Sequence, residues 1–415
     1  MNLSFVNDIW LLKVNMIQAV AFAIMAYYFG GWLRQHFPLL KRFSISSPIV
    51  GGMSVALILS VLEAYGILRV QFDSTMQSQL MLAFFTTIGL MASLKVVKQG
   101  GKLLLGFLAA VSVLCALQNV LGMTIAQWMG LDQHYGILAG SVSMMGGLGT
   151  SAAFGPYFEQ TYGITGGTAV AITAATFGMA AALMIGGPFG EWLIRRYKIK
   201  TTQPVANPEP ELRIPDDLDT DITGNHAARE KTLTEELMKA TAVIVICMAL
   251  GSVVSDILGR FVTLPAYIGS MIVAAIVRNV GDFSQKYTVE GKGLNALADM
   301  SLVLFVTMAI NSLKLHELLD LALPLAVILA AQTILMLVFA FFVLFAFFGK
   351  SYDAVLLTVG GIGFSMGATA NGLANMQALA EKYGFSPRPW LIVSLVGAFL
   401  IDFVNALLIT WFGTF

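Results

Sequence analysis

Residues 81–95, MLAFFTTIGLMASLK, return without a gap at 300–314 as MSLVLFVTMAINSLK. Each copy leads into a long apolar run and then a glycine-rich stretch, MMGGLGTSAAFG at 144–155 and VGGIGFSMGATANG at 359–372. A Tyr-Gly pair follows each stretch, Tyr162-Gly163 and Tyr383-Gly384, and upstream Pro48 and Gly52 match Pro265 and Gly269. The chain reads as one membrane sequence written twice. Two related halves, each broken by glycine at bilayer depth, point to the architecture of secondary carriers.

Composition agrees with a membrane class. Hydrophobic residues make up 57% of the chain and charged residues 12%, about half the charge of a soluble domain. The formal net charge is zero, but acids crowd residues 201–236, among them Glu209, Glu211, Asp216, Asp217, Asp219 and Asp221. The remainder is therefore basic, as loops that hold a membrane orientation are. No dense Lys/Arg tract alternates with aromatics, so a nucleic-acid partner is not expected. Cys115 and Cys247 sit in apolar runs and read as buried thiols, not a disulfide framework. Asp8 and Lys13 precede a full-length apolar run, so a span is expected there rather than a cleaved leader.

A span needs about 20 predominantly apolar residues. Five are expected in the first half, at 12–33, 46–64, 77–94, 103–128 and 167–193. Five more are expected at 238–258, 262–278, 297–314, 318–348 and 389–412. The glycine-rich stretches, 134–160 and 353–381, are too interrupted for spanning helices and too apolar for ordinary loops. Such backbone is tolerated at membrane depth only where protein or a wet cavity satisfies it, so each is expected to be a re-entrant hairpin. The fold class expected is an all-α integral membrane protein with a first repeat at 1–196, a linker at 197–237 and a second repeat at 238–415. An odd number of crossings per half inverts the second repeat. Basic residues follow the first span (Arg34, Lys41, Arg42), the third (Lys95, Lys98, Lys102) and the fifth (Arg195, Arg196, Lys198, Lys200). The positive-inside rule puts these loops and the linker in the cytoplasm and both termini outside. The proline- and acid-rich linker is expected to be a flexible tether, ending in a capping box of Thr232 and Glu235.

Glycine lets backbone approach a ligand, and helix starts around such a turn offer free N–H groups to anions. The hairpin tips, Gly146 to Ser151 and Gly363 to Thr369, are therefore candidates to hold a carboxylate and a hard cation; the alternative is that their glycines only let helices pack closely. Asp402 lies deep in the last span with Asn405 on the same helical face, and an intramembrane acid marks a functional site by default. Thr173 and Thr176 in the fifth span could complete a cation shell, or bond their own helix carbonyls. Gln118-Asn119 and Gln332-Thr333 occupy corresponding places in the fourth and ninth spans and read chiefly as interhelical hydrogen bonds. Asn371 and Asn375 face either substrate or water, and Arg388 is either a carboxylate partner or an interfacial anchor. His36, His134, His226 and His316 fall at span ends or in the linker, which leaves no intramembrane metal cluster or Ser/His dyad. The near-match to a phosphate loop ending Gly349-Lys350-Ser351 lacks its first glycine. An enzyme is thus disfavoured, and a cation channel is the more serious rival to a carrier.

The segments LMLAFFTTIGL (80–90), LAGSVSMMGGLGTSAAF (138–154), GFSMGATANGLANMQALAEKYG (363–384) and VGAFLIDFVNALLI (396–409) resemble the bacterial sodium:glutamate symporter family. That resemblance implies Na⁺-coupled uptake of L-glutamate with Na⁺ as the coupling ion and no other cofactor. It also implies ten spans, two re-entrant loops, a place in the cytoplasmic membrane, and a homodimer whose transport domain slides against a scaffold. On that footing the substrate-binding candidates are Gly147, Gly149, Thr150, Ser151, Ser365, Gly367, Thr369, Asn371, Asn375 and Arg388. The sodium-binding candidates are Ser143, Thr173, Thr176, Gly363, Asp402 and Asn405. Leu148 stands where the family pattern is expected to carry histidine, and Ala370-Asn371 where it carries Pro-Thr. Another dicarboxylate or amino acid is therefore the alternative substrate.

Overall fold

The computed structural model describes residues 2–6, 9–42, 45–201, 226–258, 265–285, 287, 291–315 and 321–415. The linker from 202 to 225 and His316 lie outside the described residues. The chain opens with strands β1 (Asn2–Val6) and β2 (Ile9–Val14), paired antiparallel. β2 also pairs in parallel with β3 (Leu68–Phe72), Trp10 opposite Leu68. This small sheet is an addition to the all-α architecture and moves the first helix start. Helix α1 (Met16–His36) begins where Asn15 and Gln18 form a reciprocal capping box, because residues 9–14 are already committed to the sheet.

The short α2 (Pro38–Arg42) leads to α3 (Ser47–Ala64), α4 (Thr75–Met91) and α5 (Leu94–Trp128), which changes direction at Gly101, φ +63. After α6 (Gln133–Ile137) comes a π-helical turn, Leu138–Val142, then α7 (Gly147–Tyr162) and α8 (Gly167–Tyr197). The second half runs α9 (His226–Leu258), α10 (Ala266–Ser284), α11 (Lys292–Asn311) and α12 (Ala322–Phe339), the last continued as a π-helix over Ala340–Phe347. It closes with α13 (Tyr352–Ser365), α14 (Thr369–Tyr383), α15 (Pro387–Leu395), a π-helical turn Val396–Leu400 and α16 (Ile401–Phe412). Because α9 is already helical at His226, residue 232 lies inside the helix and not at its start, which corrects the expected capping box.

Among the described residues seven helices are long and apolar enough to cross a bilayer: Met16–His36, Ser47–Ala64, Gly101–Trp128, Gly167–Tyr197, Thr234–Ile257, Lys292–Asn311 and Ala322–Phe347. The chain is an α-helical, multi-pass membrane protein. The other three expected spans are helical for physical reasons that keep them out of that set. α4 has 17 residues, α10 carries Arg278 and Asp282 in its last turns, and the last span is divided among α15, a π-helical turn and α16.

The helices sort into two packed groups that each draw on both halves of the sequence. α1, α3, α4, α9, α10 and α11 pack on one another, and α5 to α8 pack with α12 to α16. In lipid, apolar exposure carries no penalty, so close packing has to come from small residues and backbone approach. A Cβ on Gly51 would fall 1.8 Å from the carbonyl oxygen of Ala26, so α1 and α3 touch through bare backbone. Outward faces carry exposed Ile17, Tyr28, Trp128, Leu323 and Phe347, as lipid-facing surfaces do. The Tyr-Gly pairs prove to be helix ends: α7 stops at Tyr162 with Gly163 at φ +69, and α14 stops at Tyr383 with Gly384 at φ +100.

Candidate functional site

Both glycine-rich stretches are helix, break and helix. In the first, Gly140 leaves helical geometry (φ −92, ψ −127), the chain turns at Met145-Gly146, and α7 starts at Gly147 with φ +60. In the second, α13 ends at Ser365 and α14 starts at Thr369. Each break leaves carbonyls of one helix and N–H groups of the next outside the helical ladder, with a dipole-positive helix start alongside. The breaks meet: a Cβ on Gly147 would stand 2.5 Å from the carbonyl oxygen of Gly367.

Buried side chains lock this junction. Asn371 and Asn375 donate through Nδ2 to the carbonyls of Met179 and Ala182 on α8, each at 3.1 Å. The Thr369 hydroxyl donates to the carbonyl of Gly397 in the last π-helical turn. Gln118 of α5 donates through Nε2 to the carbonyl of Ser365 at 3.0 Å, and Gln332 of α12 donates to the carbonyl of Gln118 at 2.7 Å. On the first break, the Ser141 N–H donates to Asn119 Oδ1 at 2.9 Å and the Ser141 carbonyl accepts from Asn405 Nδ2 at 3.0 Å. Ser143 donates to the carbonyl of Ala171 at 2.7 Å and accepts from the Ser151 hydroxyl at 3.2 Å.

The expected site residues divide on this geometry. Gly147, Thr150, Ser151, Ser365, Gly367 and Thr369 lie at the two breaks or in the helix turns beside them, and Ser143, Asp402 and Asn405 come from the elements around them. Asn371 and Asn375 are tied to α8 backbone, so their amide N–H groups hold the fold. Gly363 is a packing residue, since a Cβ there would fall 2.2 Å from Gly372 Cα, and Gly149 faces Leu302 and Phe84. Thr176 donates to the carbonyl of Ile172 in its own helix. Arg388 stands exposed in the first turn of α15 with no hydrogen-bond partner among the described residues.

Several polar atoms remain open. The hydroxyl oxygens of Ser141, Ser365 and Thr173 and the Oε1 atoms of Gln118 and Gln332 are buried without a hydrogen-bond partner. Asp402, part-buried on α16, has neither an ion pair nor a hydrogen bond among the described residues. Buried carbonyl and hydroxyl oxygens are the kind of donors a hard cation takes, and paired helix starts suit an anionic group. Sequence reasoning gave Gln118, Asn119 and Gln332 chiefly an interhelical role. The signal that they matter more was their matching positions in the two halves.

A polytopic helical protein whose two helix breaks touch has the form of a secondary carrier. The profile of the sodium/glutamate symporter family matches residues 12–385. A sodium/glutamate symporter of Escherichia coli (strain K12) is 38% identical over 398 residues, covering 95% of this chain and 96% of that protein. One of Haemophilus influenzae is 35% identical over 393 residues, 94% of this chain and 95% of that protein. The chain belongs to the sodium/glutamate symporter family, and so is a transport protein and not an enzyme.

Proposed function

We propose that the protein is a symporter of the cytoplasmic membrane that couples inward movement of Na⁺ to uptake of L-glutamate by alternating access. The observation that carries this reading is the contact of Gly147 with the Gly367 carbonyl, which joins the two helix breaks into one locus. The breaks are the tips of two re-entrant hairpins in inverted repeats. The starts of α7 and α14, with Thr150, Ser151, Ser365 and Thr369, receive the substrate carboxylates. Asp402, with Ser143, Thr173 and carbonyls of the breaks, receives Na⁺. The group containing the breaks moves against α1, α3, α4, α9, α10 and α11 within a homodimer, with both termini outside and the linker in the cytoplasm.

Uptake of labelled glutamate into proteoliposomes tests this, with an inward Na⁺ gradient compared against K⁺ and against a pH gradient alone. Accumulation above equilibrium only with Na⁺ is expected. Equal uptake in K⁺ would overturn sodium coupling, and a Na⁺ current that no solute changes would favour the channel.

A second reading, a sodium-coupled carrier for another dicarboxylate or amino acid, rests on the two departures from the family pattern. Leu148 packs against the apolar cluster that contains Ile172 and Phe305 and offers a ligand no polar atom. Asn371 spends its amide on Met179. Competition of labelled glutamate uptake by a panel of dicarboxylates and amino acids separates the two.

A further inference from the structure

The adjacent residues Gln118 and Asn119 reach different breaks. Gln118 Nε2 holds the Ser365 carbonyl, the last of α13 before the second break, at 3.0 Å. Asn119 Oδ1 holds the Ser141 N–H, which leads into the first break, at 2.9 Å. Both side chains are fully buried, 1% and 0% exposed. Neither contact is a helix's own ladder, and each partner belongs to a segment whose local hydrogen bonding is interrupted. The backbone of α5 approaches the first break closely as well: a Cβ on Gly140 would stand 2.9 Å from Asn119 Oδ1 and 3.0 Å from the Gln118 carbonyl oxygen. That carbonyl is in turn fixed by Gln332 Nε2. One peptide unit of α5, rigid by virtue of its own helix, therefore sets the height and rotation of both breaks together.

We propose that Gln118 and Asn119 are positioning residues that couple the two half-sites, so that a displacement of one break is felt at the other. This rests on the reading of the breaks as the binding locus. It adds that the substrate and cation halves are bound as a unit through two side-chain contacts to backbone. A peptide that merely stabilised helix packing would let each break respond on its own.

The test uses Gln118→Asn, one methylene too short to reach Ser365, and Asn119→Ser, too short to reach Ser141; both keep the interior polar. The full-length protein is reconstituted, a cooperative melt establishes folding, and wild type is run in parallel. Each single variant is expected to raise both the KM for glutamate and the half-saturating Na⁺ by about three- to tenfold, with kcat changed less. The double variant is expected to fall short of the product of the two effects, as residues in one network do. Hydrogen exchange over residues 138–147 and 363–369 gives a second readout that needs no transport. Either single variant should speed exchange at both breaks. Exchange confined to the break each residue contacts, or a kcat loss with both half-saturation constants unchanged, overturns the coupling. Absence of sodium-driven uptake in wild type would instead count against the symport reading, and the exchange result would still decide the coupling.

Discussion

Asn405 donates through Nδ2 to the carbonyl of Ser141 at 3.0 Å, and the same oxygen accepts the N–H groups of Met145 at 3.2 Å and Gly146 at 3.0 Å. The last helix thus grips the carbonyl around which the first break turns. Asn405→Leu removes that side-chain donor while the two N–H groups remain, a loss of about 0.5–1.5 kcal/mol. A lower Tm in detergent and a higher half-saturating Na⁺ are expected. Unchanged Tm would mean that the bond contributes nothing.

Gly147 has φ +60 and faces the Gly367 carbonyl at a distance no Cβ tolerates. Gly147→Ala adds left-handed strain of about 1–2 kcal/mol and forces the breaks apart. Uptake should fall at least about tenfold, the equivalent of 1.4 kcal/mol, while the protein still folds. Gly187→Ala, at a helical glycine with open space around it, should transport normally in the same assay.

Asp402 is a carboxylate with no protein partner among the described residues, and its removal relieves a desolvated group instead of breaking a pair. Asp402→Ala should abolish sodium-driven accumulation and leave the melting temperature equal or higher. Retained accumulation would remove Asp402 from the cation site.

How far these residues were legible in the sequence differs by kind. Apolar runs located the helices well, 46–64 against Ser47–Ala64 and 167–193 against Gly167–Tyr197, because length and apolarity are local properties. The start of α9 was missed because a helix that projects beyond the bilayer loses its apolar signature while keeping its backbone form. The span expected at 12–33 began inside the strand Ile9–Val14, which local apolarity does not reveal because its pairing with Asn2–Val6 and with Leu68–Phe72 makes it a strand. At the site, polar residues near the breaks stood out, but their partners did not. Nothing near Asn375 points to the carbonyl of Ala182, 193 residues away, and periodicity places Gln118 and Asn119 on a helix without revealing which distant segments they reach.

Arg388→Ala should leave the KM for glutamate within about twofold, since a solvated side chain away from a partner contributes little. A large rise in KM would bring this arginine back to the substrate carboxylate, where its position at the mouth of the last span first placed it.

Beyond the apolar stretch of α10, Asp282 accepts from the Ser93 hydroxyl and from Arg278 Nε at 3.0 Å, tying α10 to the start of α5. Burial raises its carboxyl pKa, but the hydrogen bonds from Ser93 and Arg278 outweigh that and hold it below the ordinary 3.8. With the folded value depressed, the tie contributes stability above the unfolded value and loses it as pH falls through the folded one. Asp282→Asn should therefore lower Tm at neutral pH, with the gap to wild type closing as pH falls below the ordinary 3.8.

The interleaving of the two helix groups sets the timetable of biosynthesis. The carbonyl of Ser141 meets Asn405 only after 264 further residues have been made, and Gln118 meets the Ser365 carbonyl only after 247. Until then the carbonyls of Ser141 and Ser365 lack these side-chain donors in a solvent that offers none. The first break gains its full set of partners only when the final helix arrives.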